Sequence, residues 1–149
     1  SYLLAWYFAA NHVQHDAFDK RKTKGFVFTI GDEPCLKNLP VSAVKTIMGD
    51  SAIGQGNYTA AELLAAAQEK NHVYHIHLNH GGRGCGDAWK QMLGNHLIEI
   101  TDYRTVSRTI SDIILSHAKF TTPVNNTVDQ TQPIDTTSNT ATGAAEIIL

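Results

Sequence analysis

The sequence predicts an α/β fold in which helices cover both faces of a parallel, three-layer, Rossmann-like sheet. Five consecutive apolar or β-branched residues at 26–30 are typical of a strand that is buried on both faces. Helical and extended patterns then alternate along the chain, as they do when parallel strands are joined by right-handed crossovers.

The composition indicates one domain without a basic binding surface. The chain has 149 residues, 42% of them hydrophobic, with 12 Lys and Arg against 14 Asp and Glu. This balance gives no electrostatic signature for nucleic acid and no basic face for an anionic membrane. Two cysteines are too few for a disulfide scaffold, and no apolar stretch approaches the ~20 residues of a membrane span. Residues 2–10 lack the basic start and cleavage site of a signal peptide, so we expect a cytoplasmic protein.

The chain opens with a predicted helix over residues 2–20. Residues 2–10 are apolar nearly all round, and Ala17 and Phe18 keep the helical spacing after polar residues enter at Asn11. Because a domain seldom begins with its most buried turn, we expect a further segment to precede this helix in the intact protein.

Capping residues and glycine stops predict the later elements. Pro40 begins a helix, and Thr59 with Glu62 forms a capping box that opens the helix at 60–70. A second strand at 73–79 is followed by a glycine-rich loop.

Three further elements complete the predicted domain. Asp87 is predicted to cap a short helix that stops at Gly94, and a third strand follows at 96–100. Asp102 is predicted to cap a long amphipathic helix. Residues 120–149 are rich in Thr, Asn, Gln, Ser and Pro, which bury too little surface to offset their ordering entropy. We therefore expect an α/β domain at 1–119 and a disordered or extended tail at 120–149.

Two carboxylates stand where a parallel sheet carries its chemistry. The first strand ends at Gly31, and Asp32, Glu33 and Pro34 follow it. Ligands of open α/β sheets bind beyond the carboxyl ends of the strands, and glycine lets the backbone turn there. Asp32 is therefore a candidate for a ligand-facing or metal-linked residue, and a solvated acidic turn is the alternative.

Four histidines in and beside the second strand raise the possibility of zinc. His75 and His77 lie two apart on a strand and share a face. Zinc takes three or four protein ligands, so His80 or Cys85 would have to complete the site. The alternative is that His75 and His77 are hydrogen-bonded beneath a helix. A small α/β enzyme with a His/Cys metal site is accordingly one hypothesis for the function.

The loop at 81–86 and the cysteines give weaker indications. The loop follows a strand and precedes a helix, as phosphate loops do, but it lacks their Gly-Lys-Ser/Thr ending, which favours a surface loop. Cys35 and Cys85 each follow a strand, and no nucleophile–base spacing accompanies them. We assign no catalytic residue.

Residues 1–119 resemble the carboxyl-terminal half of a von Willebrand factor type A domain, most closely its bacterial and phage members. The resemblance lies in Gly-Phe-x-Phe-x-Ile-Gly-Asp-Glu at 25–33 and in the order of elements that follows. These are the helix at 62–70, the strand at 73–79, Trp89 in a short helix, the short strand at 97–100 and the closing helix at 105–117.

The resemblance implies a metal-ion-dependent adhesion site that holds Mg²⁺ in the complete domain. Asp32 matches the third loop of that site, where the family's Asp acts through a bound water, and Glu33 is a possible second ligand. The Asp-x-Ser-x-Ser loop that holds the metal directly does not occur in this chain. We therefore expect no tightly bound cofactor here. Candidates for contacts with a protein partner are Gly31, Pro34, His80 and Arg83.

The leading hypothesis is a non-enzymatic protein-binding module that forms part of a type A domain. A structural or assembly protein is the third hypothesis, beside the small enzyme. The family's strand order would leave the strand at 26–30 at an open edge that pairs with an upstream half-domain or a second copy, with Trp6, Tyr7 and Phe8 as an exposed apolar patch. We also expect Ile30 and Ile76 to lie in neighbouring parallel strands, each covered by helices.

Overall fold

The computed structural model describes residues 1–49, 56–79 and 85–119. The predicted loop residues His80 and Arg83 and the predicted tail at 120–149 lie outside these residues. The helices are α1 (Tyr2–Asn11), α2 (Asp16–Asp19), α3 (Val41–Met48), α4 (Ala60–Lys70), α5 (Gly86–Leu93) and α6 (Val106–Lys119). The strands are β1 (Gly25–Gly31), β2 (Asn38–Leu39), β3 (Tyr58–Thr59), β4 (Asn71–Leu78) and β5 (Leu97–Ile100).

The fold is mixed α/β, with a three-stranded parallel sheet flanked by helices, as the sequence predicts. The strand order is β1-β4-β5, and both pairs of neighbouring strands are parallel. β1 pairs with β4 from Gly25↔Asn71 to Gly31↔His77. β2 and β3 form a separate two-residue antiparallel pair.

The two faces of the sheet are covered unequally. We call the face that carries Thr29 and His75 the core face, and the face that carries Phe28 and Tyr74 the outer face, because alternate residues point to opposite sides of a strand. The core face packs against α1, α4 and α5, while α6 contacts the outer face through His117. The largest buried cluster is Leu3, Trp6, Tyr7, Leu39, Val44, Ala60, Leu63, Leu64, Ala67, Val73, Trp89 and Leu93.

β1 is not buried on both faces, contrary to the sequence prediction. Thr29 is buried on the core face, but Ile30 on the outer face is 42% exposed. β1 lies at the edge of the sheet, and α6 reaches its outer face near Phe26, at the opposite end of the strand from Ile30. Ile76, in the central strand β4, is fully buried as predicted.

The predicted helix over residues 2–20 is two helices. The backbone leaves the helix after Asn11, whose side chain donates to the Tyr7 carbonyl oxygen at 2.9 Å. His15 is extended, and its Nδ1 accepts a hydrogen bond from the Phe18 N–H, so it caps the short helix α2. Polar side chains that bond to the backbone favour helix ends, which explains the break.

The predicted caps are confirmed at two of the four positions. The Thr59 and Glu62 capping box is complete, and Gly94 ends α5 with φ of +55°. Asp87 is not a cap, because α5 begins at Gly86 and Asp87 lies in its first turn, where the helix dipole favours a carboxylate. Asp102 accepts from the Arg104 N–H, but it caps a short 3₁₀ turn that precedes α6.

The predicted apolar patch on α1 is mostly buried. Trp6 and Tyr7 are fully buried against α4, α5 and Tyr58, whereas Phe8 is 47% exposed. α1 is therefore an integral part of the core on this side of the sheet. Within the described ranges, none of the helices has both the length and the apolar character needed to span a bilayer.

The unequal cover of β1 and β4 predicts unequal costs for the same truncation. Ile76→Ala should lower the free energy of unfolding by ~2–5 kcal/mol, because it leaves a cavity in a closed interior. Ile30→Ala should cost less than about 1 kcal/mol, because its side chain is already partly in water. Urea denaturation of both variants measures the difference. Equal losses of stability would contradict the assignment of Ile30 to an open position.

Candidate functional site

The candidate site is the loop that follows β1, at the carboxyl end of the sheet. Asp32 is half-buried there, and Glu33 and Pro34 are exposed. Gly31 lies directly beneath the Tyr2 hydroxyl, and a Cβ at this position would collide with it. Glycine is therefore required at position 31 for the close approach of α1 to the end of β1.

Two aromatic side chains hold the backbone of Glu33. The Trp89 Nε1–H donates to the Glu33 carbonyl oxygen at 3.1 Å. On the other side, the Glu33 backbone forms a hydrogen bond to the Tyr2 hydroxyl. Burial raises the pKa of Tyr2, this hydrogen bond lowers it, and the charges of Asp32 and Glu33 raise it further. The loop that carries both carboxylates is thus fixed between α1 and α5.

His75 and His77 form a buried pair on the core face beside this loop. His75 is fully buried and His77 is 4% exposed, with ring centroids 5.8 Å apart. The His75 ring stacks on Trp89 at 3.8 Å, and its Nδ1 lies 2.9 Å from the Thr29 hydroxyl, which also donates to the Tyr74 carbonyl oxygen. Of the two alternatives raised by the sequence, the hydrogen-bonded histidine beneath a helix describes His75.

His75 is held in an apolar setting that disfavours positive charge. Burial, together with the neighbouring His77, lowers the pKa of His75 to about 4, against an opposing hydrogen bond to Thr29. His75 is therefore neutral near pH 7. His75 Nε2 and His77 Nδ1 are buried without a hydrogen-bond partner among the described residues.

The cysteines do not form a nucleophilic site within the described residues. Cys35 lies 3.3 Å from the Leu36 carbonyl oxygen and 3.8 Å from the Met92 sulfur, and burial raises the pKa of its thiol to about 11. A thiol with this pKa is almost entirely protonated at neutral pH and reacts slowly. Cys85 stands at the start of α5, and the two cysteines are not joined in a disulfide.

Asp32 and Glu33 are too few to hold a divalent ion by themselves. In ranges 1–49, 56–79 and 85–119, no three or more His, Cys, Asp or Glu side chains form a group suited to a metal. Mg²⁺ prefers near-octahedral oxygen coordination, which Asp32 and Glu33 alone cannot supply. The described residues therefore do not fit a complete magnesium site.

Two of the four predicted contact residues, Gly31 and Pro34, lie together with Glu33, the possible second metal ligand, and the structure adds others that the sequence did not indicate. Gly31, Glu33 and Pro34 adjoin Tyr2, and a hollow of about 480 Å³ is lined by Ser1, Tyr2, Leu3, Glu33, Pro34 and Leu36. His72 lies apart from His75 and His77, on the outer face. Tyr2 and Trp89 were not predicted as site residues. Gly31 is the one local signal of the Tyr2 contact, because a glycine after a strand allows another side chain to approach the backbone closely.

Comparisons of the chain with protein-family models, with curated proteins and with solved structures give no match. The resemblance to type A domains accordingly rests on the motif around Asp32 and on the order of the elements.

The buried histidine predicts a loss of stability in acid. The unfolded imidazole binds a proton below about pH 6.5, whereas folded His75 stays neutral until about pH 4. The free energy of unfolding should therefore fall as the pH drops from 6.5 to 4, by at most about 3 kcal/mol from this group. Urea denaturation across this pH range should show a smaller change in the free energy of unfolding with pH for His75→Gln than for the unmodified chain. Ile76→Ala removes no titrating group and should keep the original slope; equal slopes in all three proteins would refute the assignment.

Proposed function

We propose that this chain is a non-enzymatic protein-binding module and forms the carboxyl-terminal part of a type A-like α/β domain. The observation that supports this proposal is the open edge of β1, on the side away from β4. Over its seven residues β1 pairs with β4 on one side, and within the described residues no strand pairs with it on the other.

The chemistry of β1 favours a partner strand at that edge. A parallel strand with an open side presents a row of unpaired N–H and C=O groups, which is a template for another chain. Phe26, Val27 and Phe28 are only half-buried, and Ile30 is largely open to water. Apolar, β-branched residues of this kind belong to central strands, so pairing and cover from a further segment would bury them.

The strand order agrees with the proposed family. In type A domains the last three strands lie in the spatial order four, five, six, and the first strand pairs with the fourth. The observed order β1-β4-β5 is the same as that of the last three strands, and the open side of β1 is the place of the first strand. A strand from an upstream half-domain or from a second copy is the proposed occupant.

The position of Asp32 in the candidate site supports the same proposal. It stands beyond the carboxyl end of β1, on a loop that Tyr2 and Trp89 hold in place. In a complete domain Asp32 would contribute to a Mg²⁺ site through water, with Asp-x-Ser-x-Ser supplied from outside this chain. Gly31, Glu33 and Pro34 would then lie at the contact surface of a protein partner, in a cytoplasmic protein.

The two alternatives have narrower support. A small α/β enzyme would have to use the buried His75–His77 pair, whose His75 member is neutral at pH 7. A structural or assembly protein would use the same β1 edge without a metal, so it shares the expected outcomes of both tests below.

The open edge predicts that the isolated chain associates. Light scattering should show dimers or larger species, because the unpaired β1 edge and Ile30 are available to a second chain. Ile30→Lys places a charge at that edge and should restore a monomer near the chain mass of 16.3 kDa. Ile47→Lys is the matched control, because Ile47 is 62% exposed and lies on α3, outside the sheet. A concentration-independent monomer in the unmodified chain, or an equal effect of both substitutions, would contradict the proposal.

The incomplete ligand set predicts weak magnesium binding by the isolated chain. Mg²⁺ should bind no more tightly than about 1 mM, because Asp32 and Glu33 provide too few oxygens. Titration calorimetry of the chain and of Asp32→Ala tests this. Micromolar affinity that is lost in Asp32→Ala would mean that the site is completed within the chain.

A further inference from the structure

A second pocket lies at the amino-terminal end of the sheet, away from Asp32. It has a volume of about 360 Å³ and lies between α6 and the beginnings of β1 and β4. We call it the histidine pocket, and its lining residues are Thr23, Lys24, Phe26, His72, Ile114, His117 and Ala118.

Two imidazoles stand side by side in this pocket. The rings of His72 and His117 have centroids 4.2 Å apart, and Phe26 lies 5.1 Å from the first and 5.2 Å from the second. The Tyr74 hydroxyl is within 2.9 Å of His117 Nε2 and fixes the orientation of that ring. Two side chains whose ring nitrogens can bind oxygen ligands are thus held in contact.

The groups around these rings are basic. None of the lining residues that the structure describes is acidic, and Lys24 stands at the rim, with its ammonium bonded to the Gln68 carbonyl oxygen at 2.6 Å. His96 approaches from the short turn before β5, stacked on Tyr74. Burial lowers the pKa of His72, and the charges of His117, Lys24 and His96 lower it further. The described side chains of this pocket therefore favour a negatively charged ligand.

We propose that the histidine pocket binds a small oxyanion, a phosphate or carboxylate group, between His72, His117 and Lys24. Imidazolium and ammonium N–H groups make charge-assisted hydrogen bonds to such oxygens, and these are stronger than neutral ones. The bound anion favours the protonated form of His72, so this imidazole takes up a proton as the anion binds. This site is independent of the β1 edge, and its test succeeds or fails separately from that of the proposed function.

Proton uptake makes the affinity rise as the pH falls. For each proton taken up, the association constant increases about tenfold per pH unit between the pKa values of the free and the occupied imidazole. The pKa of free His72 lies below its ordinary value, and a bound anion raises it, so binding should be tighter in mild acid than in mild base.

Equilibrium dialysis of the full chain against radiolabelled sulfate tests the proposal, because sulfate keeps its charge over this range and dialysis tolerates oligomers. Chloride holds the ionic strength constant. We expect saturable binding of one sulfate per chain at pH 5.5, at least about tenfold weaker binding at pH 8, and competition by unlabelled phosphate or acetate.

Lys24→Gln and His72→Gln should each weaken sulfate binding at pH 5.5 several-fold. Lys90→Gln is the matched control, because Lys90 is exposed on α5 and its removal changes the net charge equally. Lys24 is exposed, so Lys24→Gln keeps the test decisive if His72→Gln fails to fold. The proposal is overturned if sulfate binding is absent at pH 5.5, is independent of pH, or falls equally in Lys24→Gln and Lys90→Gln.

Discussion

The contacts of Trp89 join the parts of this structure that would otherwise be independent. Its fully buried indole stacks on His75 of β4, meets the rings of Tyr2 and Trp6 of α1 edge-on, and donates to the Glu33 carbonyl oxygen beyond β1. One side chain of α5 therefore fixes the position of a helix, a central strand and the candidate loop. Its N–H is satisfied by Glu33, so the burial of this polar group carries no penalty.

The unequal cover of the two faces follows from the direction of the chain. The strand order β1-β4-β5 moves the same way at each crossover, and right-handed crossovers in one direction place their helices on one face. α4 and α5 are those helices, and α1 joins them, so the core face holds the large buried cluster. Among the described helices α6 covers the outer face, with a half-buried stripe and two apolar side chains, Ile114 and Leu115, that remain exposed. This topology leaves the aromatic residues of β1 partly open.

Local signals in the sequence predicted the positions of the helices and strands better than they predicted which side chains are buried. The capping box at Thr59, the stop at Gly94 and the strands of the sheet depend on neighbouring residues and are confirmed. The burial of Trp6 and the exposure of Ile30 depend on which helices lie on which face, and no periodicity in one segment contains that information. The same limit applies to the site. Asp32 was located by its place after a strand, but the side chains that hold its loop come from positions 2 and 89, and the partnership of His72 with His117 joins residues 45 positions apart.

The clamp on Glu33 has a mechanical consequence. Because its backbone is bonded to Trp89 of α5 and to Tyr2 of α1, the loop cannot shift without displacing one of these side chains. Both side chains belong to a closely packed layer. A ring that leaves its position in such a layer forces the neighbouring side chains to rearrange, because packed interiors do not deform gradually. A displacement of the Asp32 loop would therefore displace the first turn of α1, some thirty residues earlier in the chain. A ligand that moves the loop would in this way also move any segment attached to the first turn of α1.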